Sequence, residues 1–183
     1  MERIFEKVKD CRDCGLCETR KNVVFGEGNP DGRVMFIGEG PGEKEDETGR
    51  PFVGAAGQLL DKMLEAIDLS REKIYIANIV KCRPPRNRDP QPPEMEACRK
   101  FLEAQIERVR PRLIVPLGRI ALHALVDESL SIGKTHGKIM YRNSRFYIPT
   151  YHPSALLRNP ELKRDAWEDM KTIRLILDVL TGN

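Results

Sequence analysis

Nowhere does this 183-residue chain carry a run near the ~18 or more consecutive apolar residues that a membrane span requires, so no membrane role is expected. An apolar fraction of 40% and a mean hydropathy of −0.48 describe a soluble globular chain. It also lacks an excess of one charge. Lys and Arg number 31 against 28 Asp and Glu, a net of +3, which excludes a histone-like polycation but leaves room for a local basic groove. The opening MERIFEKVKDC lacks the basic tip and apolar stretch of a secretory signal, so a cytoplasmic location, prokaryotic cytosol or nucleoid, is expected. Missing too is an even cysteine count: five cysteines, three of them at Cys11, Cys14 and Cys17, argue against a disulfide scaffold and toward metal chemistry. With neither repeat nor linker, residues 1–183 are expected to form one domain, with an N-terminal metal-binding segment.

Four β-rich runs stand out: RVMFIGEG (33–40), KIYIANIV (73–80), RLIVPLG (112–118) and RFYIPTYH (145–152). Near-continuous apolar runs of this length suit strands covered on both faces. Between and after them come helical patterns at Gly54–Leu69, Glu94–Val109, Arg119–Val126 and Trp167–Leu180. The alternation predicts a three-layer αβα fold around a central, four-stranded, mostly parallel sheet with right-handed crossovers. Ligands of such a sheet bind beyond the carboxyl ends of the strands. Those ends carry Gly38-Glu39-Gly40-Pro41-Gly42, Asn78, Gly118 and His152-Pro153-Ser154.

Each of these has an ordinary reading and a functional one. Gly38, Gly40 and Gly42 make a tight turn, but Glu43 stands where a dinucleotide fingerprint needs its third glycine and no Walker lysine follows, which disfavours a nucleotide cofactor. Glu39, Glu43, Glu45 and Asp46 would also repel a phosphate, so a neutral or cationic guest fits better. His152 could be a packing residue, yet its place at a strand end favours function. Asn78 is either a turn residue or a donor–acceptor pair for a ligand edge. Phe52 either fills the core or stacks on a flat ring. The loop from Arg83 to Pro93, with five prolines and Arg83, Arg86 and Arg88, reads as stiff and exposed, either inert or functional. Cys11, Cys14 and Cys17 with the distant Cys82 and Cys98 suit zinc, an iron–sulfur cluster, or simply buried thiols, and spacing does not separate these.

Taken in order, CRDCGLCETR, FGEGNP, GEGPGEKEDETGRPFVGAAGQLL, NIVKCRPPRNRDP and YHPSALLRNP resemble the family 4, thermophilic-type uracil-DNA glycosylases, which carry a [4Fe-4S] cluster. The resemblance runs from about Cys11 to Pro160, and GRPFVG, KCRPPxNR and HPSxLLR are together highly specific. It implies a monofunctional DNA repair enzyme that flips uracil out of DNA and hydrolyses its N-glycosidic bond, leaving free uracil and an abasic site. The alternative from another class is a non-catalytic iron–sulfur nucleic-acid-binding module. By motif register, the family's CxxCxL and following Arg fall on Cys11, Cys14, Leu16 and Arg20. Cys11, Cys14, Cys82 and Cys98 are then the cluster ligands, and Cys17 is spare.

The resemblance further implies that Gly38, Glu39 and Gly40 line the uracil pocket, that Phe52 stacks on the ring, and that Asn78 reads the N3–H and O4 edge. His152 would donate to O2 as negative charge grows there. Against GQDPYH of the better-known uracil glycosylase branch, Gly40 replaces the aspartate and Gly42 the tyrosine, which leaves Glu39 as the nearest carboxylate and Glu45 or Asp46 to fill the space beside C5. Leu156 or Leu157 of HPSALLR would wedge into the gap left by the flipped base, with Arg158, Arg83, Arg86 and Arg88 near DNA. A related branch cross-links a histidine of a basic loop to the abasic sugar; residues 82–88 here hold no histidine, so ordinary turnover is expected. The partner is uracil-containing DNA, single- or double-stranded, bound by a monomer. A sliding clamp or other repair proteins stand as further partner candidates.

Overall fold

Strand runs and helical patterns alternate along the chain in the computed structural model, which describes residues 1–182. In order the elements are α1 (Glu2–Lys9), β1 (Glu27–Gly28), β2 (Val34–Gly38), α2 (Glu43–Thr48), α3 (Ala55–Glu65), β3 (Tyr75–Asn78), α4 (Pro92–Val109), β4 (Leu113–Pro116), α5 (Gly118–Leu125), α6 (Ile132–Thr135), β5 (Met140–Arg142), β6 (Arg145–Tyr147), α7 (Pro153–Arg158) and α8 (Lys163–Thr181). No helix among the described residues is long and apolar enough to cross a membrane.

The sheet has six strands in the order β1-β3-β2-β4-β6-β5. Its four central strands are the expected ones, and they pair in parallel. The expected count of four is corrected by two short antiparallel edge strands, β1 on β3 and β5 on β6. Glu27–Gly28 is too short to show an alternation, and Met140–Arg142 forms a surface hairpin with β6 through left-handed Asn143 and Ser144. Neither leaves the continuous apolar run that marked the central strands.

Alternate residues of each buried strand face opposite layers. Met35, Ile37, Tyr75, Ala77 and Ile114 pack with Val8, Phe101, Leu102, Val109 and Ala121 of α1, α4 and α5. Val34, Phe36, Ile74, Ile76, Leu113 and Val115 pack on the other side with Leu60, Leu64, Met170, Ile173 and Leu177 of α3 and α8. The chain passes from β2 to β3 on one side and then returns across to β4 on the other, so the strand order reverses beside β2, where a crevice opens in such sheets.

Candidate active site

Register builds the floor of the crevice. The parallel pairing of β2 with β3 sets Gly38 beside Asn78. A Cβ on Gly38 would stand 2.5 Å from both Asn78 Oδ1 and the Phe52 ring, so only glycine lets these two side chains meet at the end of β2. A lone bridge between Leu117 and Thr150 continues the sheet past β4. It brings Gly118, at φ +84°, against His152, whose Cβ would be 2.8 Å from any Cβ at that position. The Phe52 and His152 rings lie 5.6 Å apart with a 34° tilt. The result is a crevice of about 570 Å³ lined by Glu39, Gly40, Phe52, Asn78 and His152, with Arg158 among its further lining residues. Residues expected from different strand ends thus meet at one place.

The electrostatics of the crevice are specific. Burial pushes the Glu39 carboxyl up to about 7, with Asp89 adding to the rise and Arg119 and Arg158 opposing it. Burial, reinforced by the Arg158 cation, pushes His152 down to about 4 against the opposing pull of Glu45. Near neutral pH the imidazole is therefore uncharged. Its Nδ1 accepts the backbone N–H of Ser154 at 3.1 Å, which places the proton on Nε2. Asn78 is buried, and among the described residues its Oδ1 has no hydrogen-bond partner. A buried unpaired acceptor costs roughly 1 to 3 kcal/mol, so a site that retains one is suited to an N–H from a guest.

Several expected residues are placed differently from their sequence reading. Asp46 is turned away from the base site: its carboxylate accepts the backbone N–H groups of Lys21 at 2.9 Å and Asn22 at 3.3 Å, which ties α2 to the segment after the cysteine cluster. It is not among the residues that line the crevice. Glu45 does line the crevice, and its Oε1 accepts the N–H groups of Val53 and Gly54, each at 2.8 Å. Leu156 is 1% exposed and packs with Tyr151 and Ala166 in the core, whereas Leu157 is 45% exposed. Only Leu157 is free to act as a wedge. Arg88 forks onto Glu94 at 2.6 and 2.8 Å, so its charge secures the start of α4, where Gln91 and Glu94 form a capping box. Arg83 bonds Asn87 at 2.8 Å and faces Glu43 at 3.4 Å. Among the described residues Arg86 and Arg158 have no carboxylate partner.

Sequence reading missed the ion pair between Arg119 and Asp89, 2.5 Å apart, which joins the start of α5 to the Pro-rich loop across the crevice. No spacing signal marks such a pair, because its members lie 30 residues apart on different elements.

A second cavity is lined by all five cysteines, each a free thiol. Cys82 lies within electrostatic range of Cys11 and Cys14, and Cys98 within range of Cys82 and Cys14. Cys17, on the short 3-10 turn Gly15–Glu18, lines the same cavity. Arg20 donates to Cys82 Sγ at 3.1 Å, and the Lys81 backbone N–H donates to Cys98 Sγ at 3.3 Å. Burial pushes the Cys98 thiol up to about 11, so a bound cation is needed to hold it as thiolate. Among the described residues no three Cys, His, Asp or Glu side chains close around a single metal ion. Lys81 is fully buried, and its Nζ donates to the backbone carbonyl of Asn78 at 2.8 Å. The cysteine cavity and the crevice therefore share one strand end.

The uracil DNA glycosylase superfamily model matches residues 25–171. Over 175 residues the chain is 53% identical to a type-4 uracil-DNA glycosylase of Thermotoga maritima, covering 93% of this chain and 91% of that one. It is 46% identical to the type-4 enzyme of Sulfurisphaera tokodaii, covering 95% of this chain and 83% of the relative. With that of Archaeoglobus fulgidus the identity is 43%, over 94% and 91% of the two chains. Fold, crevice and sequence agree, and the chain belongs to the uracil-DNA glycosylase superfamily and, within it, to the type-4 uracil-DNA glycosylases.

Proposed function

We propose that this protein excises uracil from DNA by hydrolysing its N-glycosidic bond, and that the crevice at the ends of β2, β3 and β6 is where it does so. The observation that carries the reading is the orphaned Asn78 Oδ1, held beside the Phe52 ring in the crevice. Uracil offers N3–H to that acceptor and its flat ring to Phe52, while the amide NH2 of Asn78 is a donor for O4. Cytosine has no N3–H, so it would leave the orphan unmet.

As the glycosidic bond lengthens, charge collects on O2. His152 donates Nε2–H to it as a neutral imidazole, a geometry set by Ser154 on the opposite nitrogen. Glu39, with its carboxyl near 7, is suited to take a proton from the attacking water. Glu45 is the remaining candidate to crowd the C5 position. Outside the pocket, Leu157 is the wedge that fills the vacated stack, with Arg158 at the crevice and Arg86 on the Pro-rich loop placed for phosphates. The non-catalytic module is disfavoured: a binding surface needs neither a perturbed carboxyl nor a tautomer-fixed imidazole.

The cysteine cavity is proposed to hold a [4Fe-4S] cluster through Cys11, Cys14, Cys82 and Cys98. All-thiolate donors, two of them buried, suit iron–sulfur chemistry. When bound, the cluster supplies a fixed cross-link between the N-terminal segment, the end of β3 and α4. Arg20 and the Lys81 amide are the donors that this chain directs at its sulfurs.

Uracil release from a single-uracil oligonucleotide tests the reading directly. Free uracil and an alkali-labile abasic site are expected from the purified holoprotein, and binding without release would overturn it.

A further inference from the structure

Phe52 holds a backbone conformation that a bulky residue rarely adopts, with φ at +53°. Its ring presses against Gly38, and a side chain on Gly57 would overlap its carbonyl. Strained conformations of this kind persist only where the surroundings over-determine them. Two side chains of opposite charge do so here. Glu45 takes the N–H groups of Val53 and Gly54 from one side. From the other, Arg71 donates to the Pro51 carbonyl at 2.9 Å and to the Phe52 carbonyl.

Arg71 lies on the short turn Arg71–Lys73 before β3, outside every motif that marked the site. Its Nε donates to Asp61 at 2.7 Å and its Nη1 to Glu27 at 2.5 Å, so two carboxylates fix the plane of the guanidinium. Arg50 also reaches Glu27, at 2.9 Å. This is the geometry in which arginine and lysine are not interchangeable: several donors in one plane serve two consecutive carbonyls and two acids at once. Glu27 belongs to FGEGNP, a segment that the crevice itself does not use.

We propose that Arg71 is a positioning residue of the uracil site, acting through Phe52: it holds the stacking ring in its strained, left-handed register so that the base slot is formed before uracil arrives. This rests on the reading that Phe52 stacks on the base.

The test is equilibrium binding of free uracil to the holoprotein, with unfolding midpoints measured in parallel, for Arg71→Met, Arg71→Lys, Phe52→Ala and the double variants. Arg71→Met is expected to weaken uracil binding about tenfold, the scale of one stacked base, and Arg71→Lys by less. Because Arg71 acts through the ring, adding either change to Phe52→Ala is expected to weaken binding no further. Losses that multiply in the double variant would overturn the proposal, as would a lowered midpoint with unchanged uracil binding. Full binding by Phe52→Ala alone would instead overturn the stacking reading on which it rests. Should Arg71→Met fail to fold, the same cycle is read with Arg71→Lys.

Discussion

The backbone N–H of Ser154 meets Nδ1 of His152 at 3.1 Å, which commits the imidazole proton to Nε2. The hydroxyl of the same serine lies 2.8 Å from Nδ1. A neutral donor aimed at a developing oxyanion gains strength as the charge forms and pays no reorganisation, typically about 2.7 to 4 kcal/mol. His152→Ala is therefore expected to slow single-turnover uracil excision by about 10² to 10³. A near-wild-type rate would remove His152 from the mechanism.

The second expectation concerns pH. Glu39 titrates near 7 because burial raises it from an ordinary 4.5. As a base it must be ionised, so kcat/KM is expected to rise with pH and level off above about 7, and Glu39→Gln is expected to flatten that limb. Stability runs the other way. The raised folded value means that the Glu39 contribution is fully present below 4.5 and lost as pH rises through about 7. His152 has the opposite sign: its lowered value gives a contribution present above 6.5 and lost as pH falls through about 4. Rate profiles paired with unfolding midpoints separate the two effects. A wild-type limb surviving in Glu39→Gln would assign the base elsewhere.

Much of this site was legible before the structure, and the reason is local. Gly38, Asn78 and His152 each terminate a continuous apolar run, and in a parallel sheet the carboxyl ends of adjacent runs must lie together. Roles that depend on which way a side chain turns were not legible. Leu156 and Leu157 are identical in type and adjacent, yet α7 buries one and exposes the other. Asp46 and Glu45 likewise face opposite directions on α2, one toward Lys21 and Asn22, the other toward the Phe52 loop. Arg71 carried no signal, because its partners come from segments far apart in the chain.

The two leucines yield a paired prediction. Leu156→Ala opens a core cavity beside Tyr151 and Ala166 and is expected to cost about 2 to 5 kcal/mol of stability. Leu157→Ala leaves the unfolding midpoint nearly unchanged, since the side chain is half-exposed. It is expected instead to slow excision from duplex DNA more than from single strands, where no stack needs filling. Equal slowing on both substrates would show that Leu157 is no wedge.

The cysteines supply the last test. Cys82 lies within electrostatic range of Cys11 and Cys14, and Cys98 within range of Cys82 and Cys14. Cys17 lines the same cavity and sits three residues from Cys14, so it competes for the role by spacing alone. If four thiolates hold the cluster and the fifth is spare, Cys17→Ser is expected to keep full iron content and visible absorbance. Cys11→Ser is expected to lose both, along with several degrees of thermal stability as the N-terminal segment loses its cross-link to α4. Iron analysis and absorbance on anaerobically purified variants decide the matter. Loss in Cys17→Ser with retention in Cys11→Ser would move the ligand set by one CxxC step, and would make Cys11, not Cys17, the unused thiol.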